Sequence, residues 1–304
     1  MSDTHESAAG GRSGQVALLG WTNVGKSTLL NRLVGAKLAA VADSAQTTRH
    51  RILGVRVVPG QGQAVFIDTP GLHRPQHKMN RNMVEIARQA LYDIDVALLV
   101  VDAARGIGAG DRRAAELLGR ADARRLLVLN KVDLVRPKTR LLSMMQFGVE
   151  SLGFEEALPV SALTGEGCDA LLDRLLALLP EGPMLFPEDF LTDQPERVLA
   201  AEWIREKLLA ETRQELPHAT AVTVEHWQER DDGLVEIHAT VLVDRDSQKR
   251  IVIGKGGGLL KRVGTAARID LERHLERRVA LKLWVRVRQD WRNDERILRQ
   301  LGLG

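Results

Sequence analysis

The sequence has little that would place it in a membrane or in an oxidising compartment. Its longest apolar run, Val96–Val101, is far shorter than the ~20 residues of a membrane-spanning helix. Its single cysteine, Cys168, excludes an internal disulfide bond. Residues 1–13 lack the basic and apolar stretches of a secretory signal, and their acidic residues argue against a mitochondrial presequence, so we expect a disordered tail there. These absences favour a cytoplasmic protein.

Length and charge suggest two domains and a basic C-terminal region. A chain of 304 residues exceeds what one hydrophobic core usually fills. The net charge is only +3, but residues 249–299 contain 15 Lys or Arg against 6 Asp or Glu. A polyanionic partner is attracted by such local charge, although a solvated helical face is the commoner cause of a basic run. The position of the run within a domain must therefore decide its meaning.

Apolar periodicity in the first 180 residues predicts strands that alternate with helices. This alternation indicates an α/β domain over residues 14–180, with a mostly parallel sheet and helices on both faces. The short turn at Pro59–Gly62 makes the second and third strands an antiparallel pair. The predicted strands are 15–19, 51–58, 63–68, 95–101, 125–130 and 156–160, and the predicted helices are 27–34, 80–92, 111–121, 138–151 and 168–179.

A proline-rich stretch separates a second predicted domain. Residues 181–195 break both periodicities and are predicted to be an interdomain linker. Beyond them we predict an α+β domain over residues 196–290 and a C-terminal extension, 291–304. The predicted elements are a helix at 197–214, strands at 220–227 and 233–243, a helix at 259–276 and a strand at 279–287. We expect the tryptophans at 203, 227, 284 and 291 to pack in the core or at its edge.

A glycine-rich loop between the first strand and the first helix predicts a phosphate-binding site. The pattern is Gly20-x-x-x-x-Gly25-Lys26-Ser27. Glycines let the backbone wrap closely around phosphate oxygens, and the start of the helix points free N–H groups at the anion. Lys26 would supply positive charge to the β and γ phosphates, and the Ser27 hydroxyl would bind Mg²⁺.

Two further motifs follow strand ends and predict the rest of a nucleotide site. Asp68-Thr69-Pro70-Gly71 brings a carboxylate toward the metal's water shell, and Gly71 lets a backbone N–H approach the γ phosphate. Asn130–Asp133 would choose the base, because the Asp133 carboxylate can accept two hydrogen bonds from guanine that adenine cannot donate. Lys131 would lie along the base, and Ser161-Ala162 would close over it.

The residues predicted to bind nucleotide come from four segments. They are Gly20, Trp21, Thr22, Asn23, Val24, Gly25, Lys26, Ser27 and Thr28; Asp68, Thr69, Pro70, Gly71 and Leu72; Asn130, Lys131, Val132 and Asp133; and Ser161, Ala162 and Leu163.

With these motifs in place, residues 15–180 resemble translation-factor-class GTPases of the Era group. The resemblance implies a first switch at Gln46-Thr47-Thr48-Arg49 and a second at Asp68–Leu72. Thr48, with Thr47 as the alternative, would reach Mg²⁺ and the γ phosphate, which makes Lys26, Thr48, Asp68 and Gly71 the predicted catalytic residues. The Mg²⁺ ligands would be Ser27, Thr48 and, through a water, Asp68. Leu72 stands where Ras-like enzymes have a water-orienting glutamine, so unaided hydrolysis should be slow.

The resemblance also bears on potassium. In related enzymes an asparagine of the loop helps to bind K⁺, and Asn23 matches that position. Trp21-Thr22 depart from the family, which usually has proline before this asparagine. A K⁺ site at Asn23 and a role in loop stabilisation alone are both open.

The basic region contains a possible RNA-binding clamp, Ile253-Gly254-Lys255-Gly256-Gly257. Glycine permits close approach of a nucleic-acid backbone, although a flexible loop is the commoner reading of such a tetrapeptide. The order helix, strand, strand, clamp, helix, strand resembles a type II KH domain, which implies binding of single-stranded RNA. Periodicity leaves open whether Gly254–Gly257 continues a strand or joins two helices. The predicted RNA-binding residues are Lys249, Arg250, Ile253, Gly254, Lys255, Gly256, Gly257, Lys261, Arg262 and Arg268.

One GTPase domain followed by one such KH domain is the arrangement of Era proteins, and the resemblance covers nearly the whole chain beyond residue 13. It implies a slow, Mg²⁺-dependent GTPase that cycles between GTP and GDP and binds small-subunit (16S) ribosomal RNA near its 3′ end. It further implies a role in assembly of the small ribosomal subunit, and it allows peripheral association with the inner face of the cell membrane. We expect a monomer. The alternative is an RNA-binding chaperone with a structural GTP site and negligible turnover; Asn130–Asp133 argue against a metabolic P-loop kinase.

Overall fold

The computed structural model describes residues 11–42, 48–72, 77–212 and 220–303, and these form two compact units. The first unit contains the described residues of Met1–Leu38, Arg51–Leu72 and Ile86–Asp193. The second contains those of Ala39–His50, His73–Glu85 and Gln194–Gly304. Two segments that lie early in the sequence are therefore grouped with the C-terminal residues.

The first unit is built on a six-stranded sheet, and its elements confirm the predicted α/β class. The sheet order is β2-β3-β1-β4-β5-β6, and every neighbouring pair is parallel except β2 and β3, which are antiparallel. The elements are β1 (Arg12–Leu19), α1 (Lys26–Val34), β2 (Ile52–Val58), β3 (Gly62–Asp68), the end of α2 (Lys78–Gln89, of which the residues up to Glu85 are grouped with the second unit), β4 (Val96–Asp102), α3 (Ala109–Leu118), β5 (Arg124–Asn130), α4 (Thr139–Leu152), β6 (Glu156–Pro159) and α5 (Cys168–Leu178).

Both faces of this sheet are covered by helices. On one face, apolar residues of β1, β4 and β5 pack with α3, α4 and the end of α2 in a single buried cluster. Helices α1 and α5 contact each other and strands β1 and β3. All seven residues of β4 are buried, as expected for a strand covered on both faces. Because β1, β3, β4, β5 and β6 run parallel, their carboxyl ends meet at one edge of the sheet.

The chain on either side of the predicted first domain is tied to this unit. Arg12 and Ser13, predicted to belong to the tail, begin β1, so that prediction was wrong for these two residues; residues 1–10 lie outside the described ones. In the predicted linker, Leu191 accepts a hydrogen bond from Val55 N at 2.9 Å, and the Thr192 hydroxyl donates to Leu53 O at 2.6 Å. These contacts explain why the first unit extends to Asp193.

The second unit is an α+β fold with a three-stranded sheet. Strand β8 is central; it pairs antiparallel with β7 and parallel with β9. Helices α6, α7 and α8 pack on one face of this sheet. The elements are α6 (Glu196–Thr212), β7 (Thr220–Glu229), β8 (Val235–Val243), α7 (Asp246–Ile253), α8 (Gly258–Leu275), β9 (Val279–Val287) and α9 (Glu295–Gln300).

Helix α7 was not predicted from the sequence, and its presence answers the open question about the clamp. Residues Gly254–Gly257 join two helices, α7 and α8. Only Val252 of α7 is buried, so the helix carries almost no apolar periodicity. It begins after a side-chain cap in which Gln248 Oε1 accepts hydrogen bonds from the backbone N–H groups of Asp244 and Arg245.

The tryptophans divide between core and surface. Trp203 and Trp291 are almost completely buried, as expected, whereas Trp284, on the edge strand β9, is 47% exposed. Among the helices of the described chain, we find none with an apolar stretch sufficient to span a bilayer.

Candidate functional site

The glycine-rich loop lies between β1 and α1, where close approach leaves no room for side chains. Gly20 has φ 153°, and a Cβ there would lie 2.3 Å from Val100 O. Gly25 has φ 94°, and its Cβ would lie 2.3 Å from the side-chain nitrogen of Asn130. Both positions therefore require glycine for space as well as for backbone conformation. Thr28 follows in the first turn of α1.

Lys26 is buried within the first unit. Its Nζ donates to Gly20 O at 3.3 Å and to Trp21 O at 3.1 Å. Burial lowers the pKa of Lys26, and the nearby carboxylate of Asp68 opposes that shift. The ammonium group is thus held by carbonyls of the phosphate-binding loop itself, and an incoming phosphate would offer it stronger, charged acceptors.

Ser27 and Asp68 are brought together although they are 41 positions apart in the sequence. The Ser27 hydroxyl donates to Asp68 Oδ2 at 2.9 Å, and Asp68 is fully buried at the end of β3. Thr69 anchors the following turn through a hydrogen bond from its hydroxyl to Leu18 O at 2.9 Å. A hydroxyl beside a carboxylate is a hard oxygen donor set of the kind that Mg²⁺ prefers, so these residues fit that ion.

The segment after Asp68 is held against the glycine-rich loop. Leu72 N donates to Gly20 O at 3.1 Å, and Leu72 forms a parallel β-bridge with Trp21. A Cβ on Gly71 would lie 2.9 Å from the Thr22 methyl group, so the two backbones are close. The Leu72 side chain is buried in the apolar cluster of β1, β4 and β5. Pro70 lies between these anchored residues.

Asn130 connects the phosphate-binding loop with the Ser161 segment. Its side-chain amide donates to Val24 O at 2.8 Å, and its Oδ1 accepts from Ala162 N at 2.9 Å. Both partners lie on chain segments predicted to touch the nucleotide. Asn130 therefore orders the site from within, a role that the sequence analysis did not separate from base selection.

Lys131 and Asp133 occupy the same strand end. Lys131 has φ 64°, and its Nζ donates to Asn23 O at 2.7 Å and to Asp102 Oδ2 at 2.8 Å. The Ser161 hydroxyl donates to Asp133 Oδ1 at 2.6 Å. Val132, which lies between Lys131 and Asp133 in the sequence, is buried. Asp133 therefore already accepts one hydrogen bond from a hydroxyl, and because each carboxylate oxygen has two lone pairs, both oxygens can still accept from a base.

The sequence analysis missed two polar residues of this site. Asp102, at the end of β4, pairs with Lys131, and Arg32 of α1 donates to Leu163 O at 2.8 Å. Asp102 could have been found, because a polar residue at the end of a buried parallel strand is the signal shared by Asp68 and Asn130. Arg32 carries no such signal. The Leu163 side chain is 72% exposed.

Thr48 belongs to the second compact unit, where it is buried. Gln46 and Thr47, the other predicted first-switch residues before Arg49, lie outside the described residues. The Arg49 guanidinium lies 5.7 Å from the centre of the Trp291 ring, and burial, with repulsion from Arg205, lowers the pKa of Arg49 to about 9.

The Gly-x-x-Gly clamp joins α7 to α8 through glycines with positive φ. Gly254, Gly256 and Gly257 have φ of 73°, 58° and 77°. A Cβ on Gly254 would lie 2.9 Å from Leu259 N, whereas one on Gly256 or Gly257 would meet nothing within 4 Å. The second half of the clamp is therefore open to an approaching backbone.

Beside the clamp, an open groove of about 380 Å³ runs between α8 and β9. Lys261 and Arg268 line it, as does Gly257. Gly264, which was not predicted, also lines the groove, and a Cβ added to it would lie 3.4 Å from the Leu283 side chain. A glycine inside a predicted helix is the signal that could have revealed it. The other groove residues that sequence reasoning missed are Leu260, Thr265, Leu281 and Leu283.

The other predicted RNA-binding residues differ in their position around this groove and in whether a carboxylate pairs with them. Lys249, Arg250 and Ile253 are on α7, before the clamp, and Lys255 is in it. Arg262 pairs with Glu211 at 2.8 Å, and Arg268 with Glu272 at 3.1 Å. Two of the predicted cations are thus partly neutralised by neighbouring carboxylates.

Comparison with known proteins agrees with this division into two sites. Residues 15–131 match the family model described as 50S ribosome-binding GTPase, and residues 215–292 match the KH domain. The chain is 49% identical to GTPase Era of Geobacter metallireducens over 292 residues, covering 96% of this chain and 97% of that protein. It is 44% identical to GTPase Era of Staphylococcus haemolyticus, with coverage of 96% and 97%.

Two solved structures are similar over nearly the whole chain. One is Era in complex with MgGDPNP and nucleotides 1506–1542 of 16S ribosomal RNA, at 39% identity and a TM-score of 0.93, covering 97% of this chain and 99% of that one. The other is an Aquifex aeolicus Era variant bound to GDP and AlF4⁻, at 39% identity and a TM-score of 0.92, covering 96% and 99%.

Proposed function

The chain belongs to the Era family of GTPases, and from that premise we propose that it hydrolyses GTP slowly and couples the nucleotide state to binding of small-subunit ribosomal RNA near its 3′ end. The proposed GTPase activity is supported by one observation: Lys26, the Ser27–Asp68 pair and the Asp133–Ser161 pair all lie at one edge of the sheet. This set combines a cation for phosphates, oxygen donors for a metal and an acceptor for guanine.

In the proposed reaction each residue has a distinct task. Lys26 would leave the carbonyls of Gly20 and Trp21 and neutralise the β and γ phosphates. The backbone N–H of Gly71 would approach the γ phosphate and help to order the second switch. Mg²⁺, when bound, would neutralise phosphate charge, and Ser27 and, through a water, Asp68 are the residues of the first unit that would hold it. Leu72 offers no hydrogen bond to an attacking water, so turnover should be low.

For the base, we propose that Asp133 is the residue that selects guanine. Its carboxylate would accept both base donors, while Lys131 lies along the base and Ser161, Ala162 and Leu163 close the far side. The hydroxyl of Ser161, 2.6 Å from Asp133 Oδ1, supports this role because it fixes the carboxylate before a base arrives. An adenine would leave this half-buried carboxylate without the two donors that guanine supplies.

For the RNA, we propose that a single strand lies along the clamp and the groove between α8 and β9. The open side of Gly256 and Gly257 supports close approach of the RNA backbone, and Lys255 and Lys261 would neutralise its phosphates. The Era structure that contains nucleotides 1506–1542 of 16S ribosomal RNA supports the choice of ligand. If this RNA is the ligand, the small ribosomal subunit is the partner, and we propose a role in its assembly.

We further propose a K⁺ site at Asn23. Its place in the phosphate-binding loop, with a φ of 63° that asparagine tolerates, supports this site; because its backbone carbonyl already accepts from the Lys131 ammonium, the side-chain amide oxygen is the atom that would hold the ion. GTP turnover in K⁺ buffer should then exceed that in Na⁺ buffer at equal ionic strength, and Asn23→Ala should remove the difference. Identical turnover in both salts would leave Asn23 with loop stabilisation alone.

We also propose a monomeric, cytoplasmic protein with domains at 14–180 and 196–290, able to associate peripherally with the inner face of the cell membrane. The basic run at residues 249–299 supports attraction to anionic headgroups. Flotation with vesicles that contain anionic lipid, compared with neutral vesicles, tests the association. Sedimentation of the full chain tests the oligomeric state.

The central experiment measures both activities in one preparation. Labelled RNA that corresponds to the 3′ end of 16S ribosomal RNA should bind more tightly than a scrambled RNA of equal length, and its affinity should differ between GTP-analogue and GDP states. GTP hydrolysis should be measurable. Gly256→Asp should weaken RNA binding by charge repulsion while leaving GTP binding intact, and Gly182→Asp, on the first unit, is the matched control.

Two results would contradict this proposal. Equal affinity for the scrambled RNA would indicate a non-specific RNA chaperone. Normal RNA binding with no measurable GTP turnover would indicate the alternative in which the GTP site is only structural.

A further inference from the structure

The sheet of the second unit has a face opposite its helices that is exposed along β9, at Lys282, Trp284 and Arg286, while Thr240 and Leu242 of the central strand β8 are buried; we call it the open face. The odd-numbered residues of β8 and β9 pack into the apolar clusters beneath α6, α7 and α8. Because side chains alternate along a strand, the even-numbered residues point to the other face. Trp284, between Leu283 and Val285, is on that open face, while Leu283 lines the groove next to the clamp. The open face and the groove are therefore separate surfaces.

Three aromatic rings form a row across this face, one from each strand. The ring centres of His226 and His238 are 4.7 Å apart, and those of His238 and Trp284 are 5.2 Å apart with the planes nearly perpendicular. Trp284 is 47% exposed, and it is the one large apolar side chain that is exposed among the described residues of the three strands. A flat exposed ring supported from one side by another ring suits stacking.

The row is held by a carboxylate that several neighbours share. Glu236 Oε1 lies 2.8 Å from His238 Nε2 and 2.8 Å from Lys282 Nζ, and Arg230 pairs with the other oxygen. These hydrogen bonds, led by that of Lys282, hold the pKa of Glu236 well below its usual range. His238 is therefore fixed in orientation, and Glu236 stays ionised with its charge balanced by Lys282 and Arg230.

Cationic side chains flank the exposed indole along β9. Lys282 and Arg286 stand two residues before and after Trp284, and each side chain is 56% exposed. Arg286 faces Glu225 at 3.6 Å, a loose pair. Counting Arg230, three cationic side chains face two carboxylates on this surface before the histidines are considered.

We propose that this open face is a second RNA-binding surface, which takes an unpaired base on Trp284 and phosphates on Lys282 and Arg286. Nucleobases have a π face that stacks on aromatic rings whatever their sequence, and cations beside the ring track the backbone. A paired duplex would hide its base faces, and a protein partner would need more apolar area than one tryptophan offers. The choice of RNA rests on the proposed function, but the site differs from the clamp.

The test uses the full chain and an unstructured mixed-sequence RNA of about 30 nucleotides that contains 5-bromouridine. Trp284→Ala should weaken binding of this RNA about tenfold, the loss of one stacked base, while Trp284→Phe should retain most of the affinity. Trp284→Leu keeps apolar bulk without a ring and should resemble the alanine variant. Tyr92→Ala removes an aromatic side chain, 75% exposed, from the first unit and should change nothing. Thermal unfolding checks that each variant is folded.

Photo-crosslinking gives a readout that a structural role would not move. Irradiation of the wild-type complex should attach RNA to the peptide that contains Trp284 in addition to peptides of the clamp. Crosslinks confined to the clamp, or equal binding by the alanine and phenylalanine variants, would overturn the proposal. If Gly256→Asp weakens binding but the Trp284 variants do not, only the second surface fails. If neither weakens binding, the proposed RNA function itself fails.

Discussion

The two units prepare their sites in opposite ways. In the first unit the predicted ligand-binding residues lie in the segments that follow the strand ends, and pairs of them are already hydrogen-bonded and at least half-buried, as with Ser27 and Asp68 or Ser161 and Asp133. In the second unit the clamp is open, the groove is shallow, and the cations around it are exposed or paired with carboxylates. Buried polar contacts fix orientation and so discriminate between ligands, whereas exposed charge attracts a polyanion with little discrimination.

The sharpest way to separate the units is Lys26→Ala. GTP affinity should fall at least about 100-fold, because the charged hydrogen bonds to phosphate are worth roughly 3 kcal/mol and the loop loses its cation. RNA binding measured without nucleotide should be unchanged. The matched control is Lys138→Ala, an exposed lysine of the first unit that pairs with Glu166. A parallel loss of RNA binding would break the comparison, since the units would then not be independent.

Base selection should depend on the half-buried Asp133, which follows β5, and on its hydrogen bond from Ser161, which follows β6. Asp133→Ala should lower the preference for GTP over ATP about 100-fold, because the acceptor of both guanine donors is lost. Ser161→Ala removes only the hydroxyl that orients this carboxylate, so we expect about a fivefold loss of GTP affinity with the preference retained. Competition binding with GTP and ATP measures both. A serine variant that loses selectivity as fully as the aspartate variant would mean that Ser161 itself contacts the base.

In the second unit, two glycines of the clamp differ in the room that they leave for a side chain. Gly254→Ala should cost about 3 kcal/mol of unfolding free energy, because its Cβ would meet Leu259 N at 2.9 Å and its φ is 73°. Gly256→Ala places a side chain in the left-handed helical region (φ 58°, ψ 25°), which costs less than the extended conformation of Gly254 (φ 73°, ψ 175°), and there is open space around it, so the cost should be about 1 kcal/mol. Urea unfolding compares them. Equal costs would show that the clamp relaxes freely, contrary to the fixed helix junction described above.

The smallest expected effect concerns pH. The folded pKa of Glu236 is lowered, so its contribution to stability is fully present above the unfolded value and is lost as the pH falls through the folded one. The wild-type chain should therefore lose more stability than Glu236→Gln between about pH 5 and about pH 3. Glu225→Gln, at the looser pair with Arg286, is the control. If Glu236→Gln and the wild type lost the same unfolding free energy over this pH range, the lowered pKa of Glu236 would be contradicted.

Much of the first unit could be predicted from the sequence, and the reason is topological. Each polar motif follows a buried strand, and parallel strands bring their carboxyl ends to one edge, so local patterns were enough to predict one site. The contacts that complete it were not predictable in the same way. Lys131 pairs with Asp102, and Asn130 bonds to Val24, because strands distant in sequence are neighbours in the sheet.

The second unit was predicted less completely, because its decisive features are weakly patterned. Helix α7 buries one residue, so periodicity could not reveal it. Nothing in the charge run at residues 249–299 distinguished Arg262, which pairs with Glu211, from Lys255 in the clamp. Trp284 was expected to pack in the core or at its edge, yet nearly half of it is exposed.

Periodicity and short spacings were enough to predict the fold class and the strand-end motifs, because both kinds of pattern are local in the chain. The tertiary structure alone decided which charges are paired, that the clamp joins two helices and that an aromatic row crosses an open sheet face. Ion pairs and ring contacts join residues whose separation along the chain is large, such as Lys282 and Glu236, and their geometry exists only once the strands have paired.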